Sequence, residues 1–201
     1  MDDGDALTIV LIVGAIAFIE LLRQRAAYGG GNVPALTPHG LLPTLPRRLL
    51  NVLVPMQVSP EGEAFIKGFE QLRLKRYLDA GKPAIGWGHD IKPGENIGQM
   101  ITATDAENLF RSDIAAVAQA LNASIKVEVT QQQFDALASF AYNVGIGAFQ
   151  TSTLLTMLNN GNVTGAANQF QRWIYSEQKI DPVLQKRRAA EAAMFASAAM
   201  S

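Results

Sequence analysis

Apolar residues run almost unbroken from Ala6 to Ile19, interrupted only by Thr8 and Gly14, and Leu21 and Leu22 carry the run past Glu20. A stretch of roughly 17 residues is at the short end of what an α-helix needs to cross the hydrocarbon layer of a bilayer. The chain opens on the acidic Met1-Asp2-Asp3-Gly4-Asp5, whereas a cleaved secretion signal opens on positive charge and ends in a small-residue cleavage site. The pattern therefore predicts a single membrane crossing through residues 6–22, within an N-terminal anchor covering 1–27. Arg23, Arg25, Arg47 and Arg48 all follow the apolar run. By the positive-inside rule they place the C-terminus in the cytoplasm.

From Tyr28 the periodicity stops. Gly29-Gly30-Gly31 is followed by Pro34, Pro38, Pro43, Pro46, Pro55 and Pro60; glycine supplies slack and proline stiff extended steps, so residues 28–58 read as a linker with one short helix near Arg47–Leu53. Residues 59–201 then read as a compact, mainly helical domain. Ser59-Pro60 with Glu63 opens a helix whose apolar side is Phe65, Ile66, Phe69 and Leu72. The glycine-punctuated Leu78–Asp90 predicts a hairpin turning at Gly81-Lys82. Thr104-x-x-Glu107 and Thr130-x-x-Gln133 are capping boxes for two long helices. The first has Ala106, Leu109, Phe110, Ile114, Val117 and Leu121 on its apolar side, and the second Phe134, Leu137, Ala138, Ala141 and Tyr142. Ser152 caps a further helix that stops at Gly161, and two more fit Val163–Ile174 and Pro182–Ala199.

Composition narrows the function classes. Charged residues make up 17% of the 201 residues and hydrophobic ones 48%. The charged share falls below the usual one-quarter, as membrane contact would produce. A net charge of −1 supplies no field for gathering nucleic acid, and no nucleic-acid motif is present. Without cysteine and with only His39 and His89, the chain has no thiol nucleophile, no disulfide framework and a poor ligand set for a structural metal.

Glycoside hydrolysis needs a proton donor for the leaving oxygen and a second carboxylate that activates water or attacks the sugar. Glu70 near a helix end and Asp79 entering the hairpin can face each other across a cleft, although a glutamate and an aspartate at such spacing are ordinarily solvated surface charges. The surrounding residues decide between these readings. Glu70-Gln71-Leu72-Arg73-Leu74-Lys75-Arg76-Tyr77-Leu78-Asp79, with Ile85-Gly86-Trp87-Gly88-His89 behind it, resembles the active-site signature of the phage-type lysozymes, glycoside hydrolase family 24. Gln133-x-Asp135-Ala136-Leu137 through Tyr142-Asn143-Val144-Gly145, then Gln169-Phe170-x-Arg172-Trp173 and Leu184-x-x-Arg187-Arg188-Ala189-Ala190-Glu191, are similar to later signatures of that family. The resemblance covers about residues 60 to 196.

The resemblance implies an α+β, mainly α fold of two lobes: a small sheet lobe and a helical lobe joined by a long helix, with a cleft between them. It implies Glu70 as proton donor, Asp79 as the carboxylate that orients or activates water, Asn143 as a polar group of the substrate cleft and no cofactor. Arg187, with Arg188 as the alternative, would be the C-terminal arginine that reaches Glu70 at the substrate site. The substrate implied is bacterial peptidoglycan, cut at the β-1,4 bond between N-acetylmuramic acid and N-acetylglucosamine. The implied stereochemistry is inversion. His89 would serve an ion pair, and Trp87, Tyr142 and Trp173 read as core aromatics rather than sugar platforms. One position departs from the pattern: Ala84 stands where the family usually has a threonine that helps hold the water, and the hairpin is one residue shorter. A lysozyme-fold protein that only binds wall or membrane, or builds a virion, is the competing reading. An active enzyme at the end of a membrane anchor serves host-wall lysis or virion entry, from the host inner membrane or a virion membrane. In either case the domain must reach the periplasmic wall, against the charge distribution around the apolar run.

Overall fold

The computed structural model describes residues 55–79 and 81–197. The apolar run at 6–22, the glycine- and proline-rich stretch as far as residue 54 and the helix expected at Arg47–Leu53 lie outside the described residues. Among the described residues no helix is long and apolar enough to cross a membrane. Residues 56–58, assigned to the linker by composition, pack onto the folded domain: Val58 is buried in the core. The Met56 N–H donates to Asn122 Oδ1 at 3.0 Å while Asn122 Nδ2 donates to the Met56 carbonyl at 2.8 Å.

The domain opens with α1 (Pro60–Lys67), whose N-cap Ser59 accepts a hydrogen bond from the Gly62 N–H and donates its own hydroxyl to Asp135 at 2.6 Å. The helix ends at Gly68, shorter than its apolar pattern suggests, so Phe69 and Glu70 stand in the turn beyond it and Leu72 is exposed. Strands β1 (Arg73–Asp79), β2 (Lys82–Gly86) and β3 (His89–Asp90) form an antiparallel sheet in that order. Asp79 pairs with Lys82. Lys82 therefore belongs to the strand and not to the turn expected at Gly81-Lys82, with Gly81 in the left-handed region at φ 82° that glycine enters without steric cost.

Helix α2 (Ala103–Ser124) is 22 residues, about 33 Å long at 1.5 Å per residue. It packs on β2 and β3 at one end and on the helical part of the domain elsewhere. Its cap is Thr102 with Asp105, each satisfying the other's backbone N–H, and not the Thr104–Glu107 pair expected. Both pairs have the same spacing. Glu107 has long-range partners instead: it accepts from Lys67 Nζ at 2.5 Å and from the Trp87 indole at 2.8 Å.

The second expected cap holds: Thr130 and Gln133 cap α3 (Gln131–Val144) reciprocally. Every residue of α3 from Gln133 to Ala141 is buried, because α1, α2 and α7 all pack against it. Such a helix must satisfy its polar side chains internally. Asp135 accepts from Ser59 and Gln131, and Ser139 bonds to the C-terminal helix. Three short helices follow: α4 (Ile146–Gln150), not anticipated; α5 (Thr153–Asn159), capped by Ser152 as expected; and α6 (Val163–Gln169), which runs into a 3₁₀ turn at Phe170–Arg172. A two-stranded hairpin, β4 (Tyr175–Ser176) and β5 (Lys179–Ile180), precedes α7 (Pro182–Ser197). Its turn residues Glu177 and Gln178 have positive φ without being glycine, so no glycine or asparagine signal announced it. The Phe140 ring meets Phe170 and Trp173 edge-on and joins α3 to the C-terminal segment in one apolar core.

His89 ties the sheet to α2. Its Nδ1 lies 2.8 Å from Asp113 and its Nε2 3.2 Å from Glu95. Glu95 also accepts from the Lys92 N–H, which straps the loop after β3 onto the imidazole. The hydrogen bond to Asp113, supported by Glu95 and opposed by burial, holds the histidine's pKa above its ordinary value of 6.5. A pKa raised by folding means that protonated His89 stabilises the fold. That contribution is complete below pH 6.5 and is lost as pH rises through the folded pKa. Thermal unfolding from pH 6 to pH 9 is therefore expected to show His89→Gln costing most stability at the acid end, with the gap to the native chain narrowing as pH rises.

Candidate active site

Glu70, Asp79, Lys82, Gly88, Asp90 and the Tyr142–Gly145 turn line a cleft of about 260 Å³ between the sheet and the end of α3. The sheet register explains the first wall. Cross-strand partners share a face, and faces alternate along a strand, so the pairs Asp79–Lys82, Tyr77–Ala84 and Ala84–Asp90 all belong to one face. Leu78 belongs to the other face and is 74% exposed.

The opposite wall is the C-terminal end of α3. Tyr142 donates its hydroxyl to the Trp87 carbonyl at 2.7 Å, fixing the helix end against the sheet lobe. Burial, with the Asp113 and Glu70 carboxylates adding to it, pushes this phenol's pKa far up, so it stays a donor. Burial followed by the charges of Asp79 and Glu70 also raises the pKa of Tyr77. Three carboxyl groups, Glu70, Asp79 and Asp90, line the cleft, and Lys82 is the cation among its lining residues.

Glu70 is brought to the cleft from behind by α7. Arg187 Nη1 donates to Glu70 Oε1 at 2.7 Å, its Nε to Glu191 Oε1 at 3.1 Å and its Nη2 to the Ser139 carbonyl at 3.2 Å. Arg188 donates to Glu191 Oε2 and to Asn143 Oδ1, and Ser139 Oγ donates to Glu191 Oε1 at 2.7 Å. Glu191 and Arg188 are completely buried and Arg187 is 3% exposed. One carboxylate therefore orients two guanidiniums. One of these holds Glu70, and the other holds the cleft residue Asn143.

Chain, spacing and geometry now converge. Residues 67–191 match the Phage lysozyme family model. This chain belongs to the phage lysozyme family. Among its relatives, the endolysin of Bacillus phage PZA is 47% identical over 148 residues, 71% of this chain and 56% of the relative, so the chain spans little more than half of that protein. The endolysin of Acyrthosiphon pisum secondary endosymbiont phage 1 is 45% identical over 150 residues, 71% of this chain and all of the relative. Among solved structures, the muramidase domain of SpmX from Asticaccaulis excentricus superposes with a TM-score of 0.62 at 36% identity, covering 69% of this chain and 97% of that one.

Within this phage lysozyme architecture the residues singled out from sequence are brought together unequally. Glu70, Asp79 and Asn143 line the cleft. Arg187 reaches Glu70, and its side chain is buried. Arg188, the alternative, reaches Asn143 instead. Trp87 and Trp173 pack against the core, as does Tyr142, which also faces the cleft. Ala84, at the position of the family's usual threonine, is fully buried between Tyr77 and Asp90. Sequence reasoning missed Lys82 and Asp90 as cleft residues; the period-2 face shared with Asp79 was the available signal, once Lys82 is placed in the strand.

Gly88 stands close against Glu70. Its φ is 90°, and a methyl group there would stand 3.3 Å from Glu70 Oε2. Arg187 takes Oε1, and the glycine leaves room beside Oε2. Gly88→Ala combines backbone strain of about 1–3 kcal/mol with displacement of that carboxyl. It is expected to lower melting temperature and, in hydrolysis assays at a temperature where both proteins stay folded, kcat by more than tenfold.

Proposed function

We propose that this domain is a muramidase of bacterial peptidoglycan, hydrolysing the β-1,4 bond between N-acetylmuramic acid and N-acetylglucosamine. The observation that carries the reading is Glu70 held through one oxygen by a buried arginine while facing the same cleft as Asp79. In the proposed reaction the Glu70 carboxyl delivers its proton to the glycosidic oxygen as the bond to the departing sugar breaks. Asp79, on the sheet face across the cleft, takes the proton of the attacking water, and the water oxygen bonds to the anomeric carbon. Asn143, held by Arg188, offers its amide to the sugar. Arg187 acts through Glu70, as a positioning residue.

Because the anomeric carbon is attacked by water rather than by the protein, the first-formed product should have inverted configuration. Reducing-end release from purified peptidoglycan, with NMR of the first-formed anomer on a soluble glycan, tests both parts. Release of the α-anomer is the expected result; the β-anomer would make Asp79 a nucleophile.

Ala84 favours a second reading. A methyl group neither donates nor accepts a hydrogen bond, so a domain that binds wall without cutting it would tolerate this residue. Wall binding without reducing-end release at any pH would select that reading. For the whole chain, we place residues 6–22 in a membrane and assign residues 28–55 to a spacer that lets the domain reach the wall, in the service of host lysis. Protease protection of the domain in membranes and in particles distinguishes this from a role in entry.

A further inference from the structure

Glu107 on α2 takes no part in the proposed reaction, yet it meets both segments that stand against the proton donor. Its Oε2 accepts from Lys67 Nζ at 2.5 Å and its Oε1 from the Trp87 indole at 2.8 Å. Lys67 is the last residue of α1. Past Gly68 the helical bonds give way to shorter ones, from the Phe69 N–H to the Ile66 carbonyl and from the Glu70 N–H to the Lys67 carbonyl at 3.1 Å. On the other side Trp87 stands between Gly86 and Gly88, both at positive φ, and it is Gly88 that approaches Glu70 Oε2. The Glu107 carboxylate therefore ties the main chain that carries Glu70 to the turn that faces the second oxygen of Glu70.

Both ends of this tie are themselves fixed. The Lys67 ammonium lies 4.5 Å from the centre of the Phe110 ring and 5.6 Å from that of Trp87, within cation–π range. Phe110 meets the Tyr142 ring edge-on, and Tyr142 donates its hydroxyl to the Trp87 carbonyl. The hydrogen bond from Lys67, opposed by burial and joined by the one from the indole, holds the Glu107 pKa below its ordinary value of 4.5. Both of its oxygens are thus acceptors near neutral pH. The Lys67 and Glu107 side chains are 22% and 38% exposed, and an ion pair so open to solvent adds little to stability. Placement is a different matter, because a shift of about 1 Å in a reacting group can cost about 10²-fold in rate.

We propose that Glu107 is a positioning residue for Glu70: by gripping Lys67 and Trp87 together it sets the spacing between the Glu70 main chain and the Gly88 turn, and so the way the carboxyl presents its second oxygen. The inference rests on the muramidase reading and adds to it a hold on the proton donor separate from that of Arg187.

Glu107→Gln tests this, because the amide keeps one acceptor for two donors. On soluble glycan strands, at a temperature where calorimetry shows every variant folded, kcat is expected to fall about tenfold with KM unchanged. Trp87→Phe removes the indole N–H while keeping an aromatic ring and the main-chain carbonyl, and should lose kcat in the same way. Combining the two should cost no more than the larger loss alone, since both break one bond. The deciding measurement uses the Glu70→Gln background. There Glu107→Gln is expected to change the residual rate by less than about twofold, because its effect passes through the carboxyl already replaced. Native kcat in Glu107→Gln, or the full loss repeated on top of Glu70→Gln, overturns the proposal while leaving a muramidase. A native chain that cleaves no glycan removes the muramidase reading and the role of Glu107 with it.

Discussion

Glu70→Gln is expected to lower the rate of peptidoglycan hydrolysis by a factor of about 10²–10⁴, the usual contribution of a positioned acid or base, while leaving the domain folded. The separation is possible because the glutamine amide oxygen can still accept the hydrogen bond that Arg187 donates to Glu70 Oε1 at 2.7 Å. What the substitution removes is the ability to supply a proton at the other oxygen, beside Gly88. Soluble glycan substrates should report the loss in kcat, with KM little altered, and the melting temperature should change far less than activity does. Asp79→Asn is expected to fail in the same direction, because an amide cannot accept the proton of the attacking water. Full turnover by Glu70→Gln would end the assignment of the proton donor.

The second large effect lies behind the site. Glu191 has no solvent exposure and is the counter-charge of both Arg187 and Arg188. Making it neutral, as in Glu191→Gln, leaves Arg188 without its carboxylate partner in the interior and Arg187 with Glu70 alone, and breaking a buried ion pair by removing one member costs about 3–5 kcal/mol. For a domain of this size the melting temperature should fall by about 10 °C or more. Activity should fall as well, at temperatures where the variant is folded, because Arg187 loses the bond that aims it at Glu70 and Arg188 the bond that aims it at Asn143. Calorimetry and kinetics on the same sample check both halves. A variant as stable as the native chain would show that Ser139 and the remaining polar groups satisfy the arginines unaided.

These two predictions separate residues that the sequence distinguishes poorly. Glu70 and Glu191 are both glutamates in recognisable motifs. The first stands at a cleft and the second is locked in the core. Their different consequences follow from burial and from partners 117 residues away in one case and three to 52 away in the other.

What the chain determined by itself is whatever depends on near neighbours. A serine or threonine ahead of an apolar period predicts where a helix begins, since the cap and the backbone N–H it satisfies lie within three residues; Ser59, Thr130 and Ser152 cap helices as read. The spacing of Glu70, Asp79 and the Ile85–His89 run, with the Tyr142–Gly145 and Leu184–Glu191 motifs, pointed to the phage lysozyme architecture and to two of the three carboxyl groups that line the cleft. What only the tertiary structure decided is which of several locally equivalent groups is used. Thr102 and Thr104 offer the same capping spacing, and the second box is unused while Glu107 meets Lys67 and Trp87 across the fold. Arg187 and Arg188 are adjacent and identical in chemistry, yet the helical turn sends one to Glu70 and the other to Asn143. The β4–β5 turn adopts positive φ at Glu177 and Gln178 against local preference, and Lys82 and Asp90 reach the cleft through strand register. Local preferences amount to about a kilocalorie per residue or less, whereas burying a charge without its partner costs several; where the two compete, the long-range pairing wins.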